Sequence, residues 1–176
     1  NWDLVLQNLN DAITKDPGFS LAYNELFNYY WFIKEDNNQA EVILKKFTAS
    51  RPNENHMEDD YLYSQLCWAR KNYDCAIEKA ESVARSMGTK VKPRVYRQLA
   101  YSYFGKGDYA NALKNSNEFF MKTKDGAIPE DYKLKADILT AMGAGEDEIF
   151  NVFVEGAAID TLMKTKIVFL NKGVDF

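Results

Sequence analysis

The chain has 176 residues, of which 46% are hydrophobic and 27% charged, with a formal net charge of -4. That apolar content excludes wholesale disorder, and the acidic balance offers no electrostatic footprint for nucleic acid. No apolar run reaches the roughly 20 residues that a membrane-crossing helix needs.

Trp2 to about Lys15 carries Trp2, Val5, Leu6, Leu9 and Ala12 at helical spacing and stops at Asp16-Pro17-Gly18, where proline and glycine end a helix. Ser20 to Lys34 is a predicted helix rich in aromatics (Tyr23, Phe27, Tyr29, Tyr30, Trp31, Phe32). Glu35 to Asn38 is a turn, and Gln39 to Ser50 a second helix, closed by Pro52. Glu58 to Arg70 and Tyr73 to Ser86 form the next hairpin, with Gly88 as a C-cap and Lys90 to Pro93 as a connector. In the stretch Tyr96 to Phe119, one helix aligns Tyr96, Leu99, Ala100 and Tyr103. Gly105-Lys106-Gly107-Asp108 breaks it, and the next helix aligns Tyr109, Ala112, Leu113, Ser116 and Phe119 before ending near Lys122. After the connector Asp125 to Pro129, Pro129 to Met142 and Asp147 to Ile159 make the last full pair, and Thr161 to Leu170 begins a further helix. Nothing alternates apolar and polar over a strand length, so the chain reads as all-α.

The hairpins repeat. An early small or apolar residue of the second helix recurs as Val5, Ala40, Ala76, Ala112 and Ile149, and a later one as Ala12, Phe47, Val83, Phe119 and Gly156. In the first helix, Tyr30, Cys67, Tyr103 and Leu139 form one column, and Phe27, Ser64, Ala100 and Ala136 another. Several columns holding one period near 36 residues mark a repeat array, in which no hairpin buries its apolar face without its neighbours.

These residues resemble the tetratricopeptide repeat. Tyr96, Leu99, Ala100, Tyr103, Gly107, Asp108, Tyr109, Ala112 and Phe119 carry the match, as do Lys71-Asn72-Tyr73 with Ala76 and Ala80, and Pro17 and Pro52 at repeat ends. The period is longer than the family's usual 34, and Ile149 and Gly156 stand where the family prefers alanine. The resemblance implies an α-α superhelix, a right-handed solenoid of helix-turn-helix repeats. It also implies that each first helix lines a concave groove for an extended peptide or a partner helix. The chain divides on this reading as a single repeat domain over 1–176: a half-repeat 1–17, repeats at about 18–52, 53–89, 90–126 and 127–160, and a half-repeat 161–176.

Asn24, Asn28, Tyr61, Gln65, Arg94, Arg97, Tyr101, Lys133 and Asp137 fall on the outward face of the first helices. Trp31, Trp68 and Phe104 occupy the column one residue after the core aromatic, which points to the groove or to the next repeat. Together these twelve are the candidate partner-binding surface. Tyr23, Tyr30, Tyr96 and Tyr103 are expected in the core. Asn28 and Arg94 echo the carboxylate clamp of some family members, but Leu62 and Gln98 stand where that clamp would want Asn and a basic residue.

No motif implies a cofactor, a metal or a catalytic set. His56, the only histidine, sits in a polar segment expected as a loop or helix start, with no second His or Cys at ligand spacing. Gly105 and Gly107 have no strand before them and read as turn glycines, not a dinucleotide loop. Glu146-Asp147-Glu148 suit a helix N-terminus. Cys67 and Cys75 are expected as buried or half-buried free thiols. The terminal segments are apolar enough to mark interfaces, explained either by a longer array or by self-association through the ends. The expected function is a non-enzymatic protein-protein interaction scaffold; the alternative is a regulatory or targeting segment of a larger enzyme or a membrane-anchored assembly protein. Two compartments fit: the cytoplasm or, after removal of a signal peptide, the periplasm or cell envelope.

Overall fold

In a computed structural model of the protein, which describes residues 2–123 and 126–159, the helices follow the expected order with no strand among the described residues. They are α1 (Trp2–Lys15), α2 (Ser20–Asn28), α3 (Asn37–Ala49), α4 (Met57–Ala69), α5 (Tyr73–Met87), α6 (Pro93–Lys106), α7 (Tyr109–Lys122), α8 (Pro129–Ala141) and α9 (Glu146–Ile159). The further helix expected at Thr161 to Leu170 lies outside the described residues. The chain divides into two compact units, Asn1–Val83 and Ala84–Phe176.

Each hairpin turn is set by one residue in the left-handed region. Glu35, Lys71, Gly107 and Gly143 have φ of 52°, 59°, 84° and 74°. They recur every 36 residues, so the period visible in the sequence is a period of backbone conformation. The next residue caps the second helix in three of the four turns. Asp36 accepts from the backbone of Asn38 and Gln39, Asn72 from that of Cys75, and Asp108 from that of Asn111. These bonds satisfy donors that a helix N-terminus otherwise leaves unpaired. They also start α3 at Asn37, two residues before the sequence reading placed it. Pro93 likewise belongs to α6, at its first position, where proline loses no hydrogen bond.

The aromatic helix departs from the plan. After Asn28 it widens into a π turn, Tyr29–Ile33, in which Lys34 N–H donates to Tyr29 O at 3.0 Å. Turn closure reveals the inserted residue: Asn72 and Asp108 bond back five residues to Cys67 and Tyr103, whereas Asp36 bonds back six to Tyr30. In the first-helix columns, whose later steps are 36 residues, the 37-residue step from Tyr30 to Cys67 is this insertion. Here Tyr29 is buried at 5% exposure, while Tyr30, expected in the core, is half-buried and packs against it. Tyr23 is buried as expected, but Tyr96 and Tyr103 are half-buried.

In the first unit the core joins Tyr23, Leu26 and Phe27 of α2 to Ala40, Ile43, Leu44 and Phe47 of α3 and Leu66 of α4. Tyr23 stacks on Phe47 with centroids 5.0 Å apart. In the second unit Ala100 of α6 and Ala112 of α7 are 1% and 0% exposed and pack with Leu134 and Ile138 of α8. Small side chains there let the helices approach closely. Ile149 fills the alanine column of α9, packing with Ala136, Leu139 and Phe153.

The expectation of free thiols is overturned. Cys67 and Cys75 form a disulfide with Cα atoms 5.8 Å apart, within the range a disulfide spans. Only residues 70–72 separate α4 from α5, so the last turn of one helix lies beside the first turn of the next. A separation of eight residues reads as distant until that turn is counted.

Candidate partner-binding faces

In the first unit, Asn24 and Asn28 on α2 are exposed. Trp31, in the π turn, is half-buried: it meets Phe27 edge-on at 4.9 Å and stacks on Phe32 at 5.8 Å. On α4, Trp68 is 40% exposed, while Tyr61, expected to face outward, is buried at 9%. Gln65 Nε2 donates to the Tyr61 hydroxyl at 3.4 Å. This face is thus aromatic and amide-rich, and among its five predicted residues from Asn24 to Gln65 none carries a charge.

The second unit's face is charged, and much of its charge is paired internally. Arg97 of α6 donates through Nη2 to Asp131 Oδ2 at 2.6 Å and to the Gly126 carbonyl at 2.8 Å. Its guanidinium lies 4.6 Å from the Phe119 ring centre. The Tyr101 hydroxyl donates to the Glu130 carbonyl at 3.2 Å, and burial pushes its phenol up to about 12. Lys133 pairs with Asp137, one helical turn on, at 2.5 Å. Phe104 is half-buried, 5.8 Å from Tyr109. Arg94, near the start of α6, is half-buried too.

The sequence reading missed Asp131, which anchors this face. It is 3% exposed and accepts from the Ile128 backbone at 2.9 Å as well as from Arg97. The first unit has a counterpart in Asp59, 6% exposed, whose Oδ2 accepts from Arg51 at 2.7 Å and Thr48 at 2.8 Å and lies 3.1 Å from His56 Nδ1. Arg51 stacks on Phe47 at 3.4 Å. A signal was present: Asp59 and Asp131 each follow a column phenylalanine, Phe47 or Phe119, by twelve residues. Between them, at the same columns, stand the buried Val83 and Val95. A further missed cluster sits in the first unit, where Glu41 accepts from Tyr63 at 2.5 Å and pairs with Lys45 at 2.5 Å and with Arg70. Hydrogen bonds from Lys45, Tyr63 and Arg70 hold its carboxyl at about 2.

Among the described residues, no group of three or more His, Cys, Asp or Glu could hold a metal ion, and no helix is long and apolar enough to cross a membrane.

No family profile and no curated protein matches the chain. Solved structures do. A tetratricopeptide repeat protein from Parabacteroides merdae superposes with a TM-score of 0.72 at 16% identity, covering 96% of this chain and 63% of its own. A thermophilic TPR protein from Thermus thermophilus gives 0.72 at 14% identity, covering 99% and 91%. Yeast Tom70 gives 0.54 at 14% identity, covering 97% and 42%. This chain therefore spans less than two thirds of the length of the Parabacteroides protein and of Tom70. The likeness shows the fold: an all-α helical repeat of the tetratricopeptide type, in the solenoid class.

Proposed function

We propose that the chain is a non-enzymatic protein-protein interaction scaffold, binding a peptide or partner protein along the first-helix faces of its repeats. The observation that carries this reading is the surface of the first unit. Asn24 and Asn28 are exposed, and the large indole of Trp68 is exposed at 40%. Amide side chains match the donors and acceptors of an extended peptide backbone, and an exposed Trp supplies contact area at low entropic cost. Arg97, Tyr101, Lys133 and Asp137 bind through the outer rim of an internally paired face. Fold likeness to tetratricopeptide repeat proteins agrees with this reading, as does the employment of the only histidine beside Asp59.

The test is affinity capture with the full chain and with an Asn24→Ala, Gln65→Ala, Trp68→Ala triple variant, quantifying retained proteins by mass spectrometry. A partner retained by wild type and lost from a variant of unchanged Tm is the expected result. Equal retention by both would remove the face from the reading. Arg97→Ala is a poor probe of binding, because it unpairs a buried carboxylate.

A further inference from the structure

Helix α1, helix α2 and the π turn after it enclose a cleft of about 110 Å³ lined by Trp2, Val5, Leu9, Glu25, Asn28, Tyr29 and Ile33. That is well below the roughly 300–1,000 Å³ of small-molecule pockets, and its size suits the side-chain knobs of a packed helix. Trp2, Val5 and Ile33 are 51%, 42% and 51% exposed.

The same groove occurs in the second unit between α7 and α8, and there a helix fills it. Ala100 of α6 packs with Ala112, Leu134 and Ile138, with Tyr101 and Phe104 against them. Aligning Val5 with Ala112 puts Trp2 on Tyr109. Aligning Tyr30 with Leu139 puts Glu25 on Leu134 and Tyr29 on Ile138. Among the described residues no helix stands against α1 and α2 as α6 stands against α7 and α8. Repeat geometry thus specifies a helix as the occupant.

Charge specifies which helix. Residues 2–33 hold Asp3, Asp11, Asp16 and Glu25 against Lys15 alone, a net charge of -3. Glu25 stands where the filled groove has a leucine, so the occupant brings a cation near it. The half-repeat 161–176 holds Lys164, Lys166 and Lys172 against Asp175 alone, a net charge of +2. Its Met163, Ile167, Leu170 and Val174 recur at spacings of four, three and four, one apolar stripe of a helix. We propose that residues 161–174 of a second copy dock in the α1–α2 cleft, completing a hairpin in trans with α1. The contact joins two different surfaces, so it propagates head to tail.

Sedimentation of the full 176-residue chain from about 1 to 500 μM at low salt, where surface charges are least screened, tests this. Wild type is expected to grow from monomer to dimer and larger species with concentration, and to dissociate as salt is raised. Val5→Asp at one surface and Ile167→Asp at the other each shift the association constant down at least tenfold. Mixing the two variants yields dimers and nothing larger, because one intact contact survives per pair. Glu25→Lys, a substitution at an exposed site, repeats the Val5→Asp result should that variant fold poorly. A wild type that stays monomeric overturns the proposal, as does association that survives these substitutions. A cleft that binds a lysine-rich helix of another protein but not this chain overturns it equally. The Asn24, Gln65 and Trp68 triple variant spares Asn28, which lines the cleft as well as the proposed peptide-binding face, and leaves self-association unchanged, which separates the two contacts.

Discussion

Both units bury an aspartate beneath an arginine that stacks on phenylalanine, yet the arginine arrives by different routes. In the first unit Arg51 follows α3 directly and lies only eight residues before Asp59. In the second, Arg97 projects from α6, and 34 residues separate it from Asp131. The positions do not correspond. Two periods after Arg51 stands Thr123, and two repeats before Arg97, counting the inserted residue, stands Asn24. The phenylalanine and aspartate columns repeat, but the compensating cation is supplied wherever the local chain can reach. A buried carboxylate demands a partner; it does not dictate which residue provides one. The turns differ in the same way. The first unit enters the left-handed region with Glu35 and Lys71, the second with Gly107 and Gly143.

The largest expected effect lies at the long-range pair. Arg97→Ala leaves Asp131 buried without a cation, at a cost of about 3 kcal/mol, read as a Tm drop of roughly 6–12 °C in calorimetry. Arg97→Ala with Thr123→Arg, which installs the first unit's solution in the second, is expected to recover about half of that loss. No recovery would break the view that the source of the cation is interchangeable.

Arg51→Ala costs less, about 1–2 kcal/mol by urea denaturation, because Thr48 and His56 still contact Asp59. A loss as large as that of Arg97→Ala would mean that these neighbours contribute nothing.

At the turns the two units should respond with opposite signs. A Cβ added at Gly107 meets nothing within 4 Å, so Gly107→Ala reports backbone strain alone and destabilises by about 1 kcal/mol. Lys71→Gly relieves the same strain and stabilises by up to about 1 kcal/mol, less the entropy that glycine adds to the unfolded chain. Chemical denaturation of the two variants side by side checks the signs.

The smallest effect is one of pH. The columns of Glu41 and Arg70 hold Leu113 and Met142 in the second unit, so acid sensitivity of this kind belongs to the first unit alone. Glu41 has its carboxyl at about 2 when folded, against an ordinary 4.5. A depressed value means the stabilisation is complete above pH 4.5 and fades as pH falls toward 2. The Tm gap between wild type and Glu41→Gln should therefore be constant near neutrality and close between about pH 4.5 and 2. A gap that persists at the acid end would assign it to packing.

Helix order, hairpin pairing and the repeat were legible because they rest on local rules. Apolar spacing sets each helix, and Gly107 with Asp108 sets a turn by its own backbone preferences. Even the π turn left a trace, in the 37-residue step from Tyr30 to Cys67, but a column shift does not say which tyrosine turns inward. The candidate faces were legible only as positions. Asn24 is exposed as its column suggested and Trp68, whose column pointed either to the groove or to the next repeat, is exposed too, whereas Tyr61 is buried and Arg97 is engaged with Asp131. Periodicity reports the direction of a side chain from its own helix and says nothing of the neighbour it meets.

The sequence by itself determined the repeat and its period, since each depends on residues within one or two turns of chain. Only the tertiary structure decided that Cys67 and Cys75 are joined, that Tyr29 is buried while Tyr30 is half-buried, and that Asp59 and Asp131 are buried under arginines from unrelated positions. Those outcomes depend on which helices come to lie side by side, and that is fixed by the packing of whole hairpins.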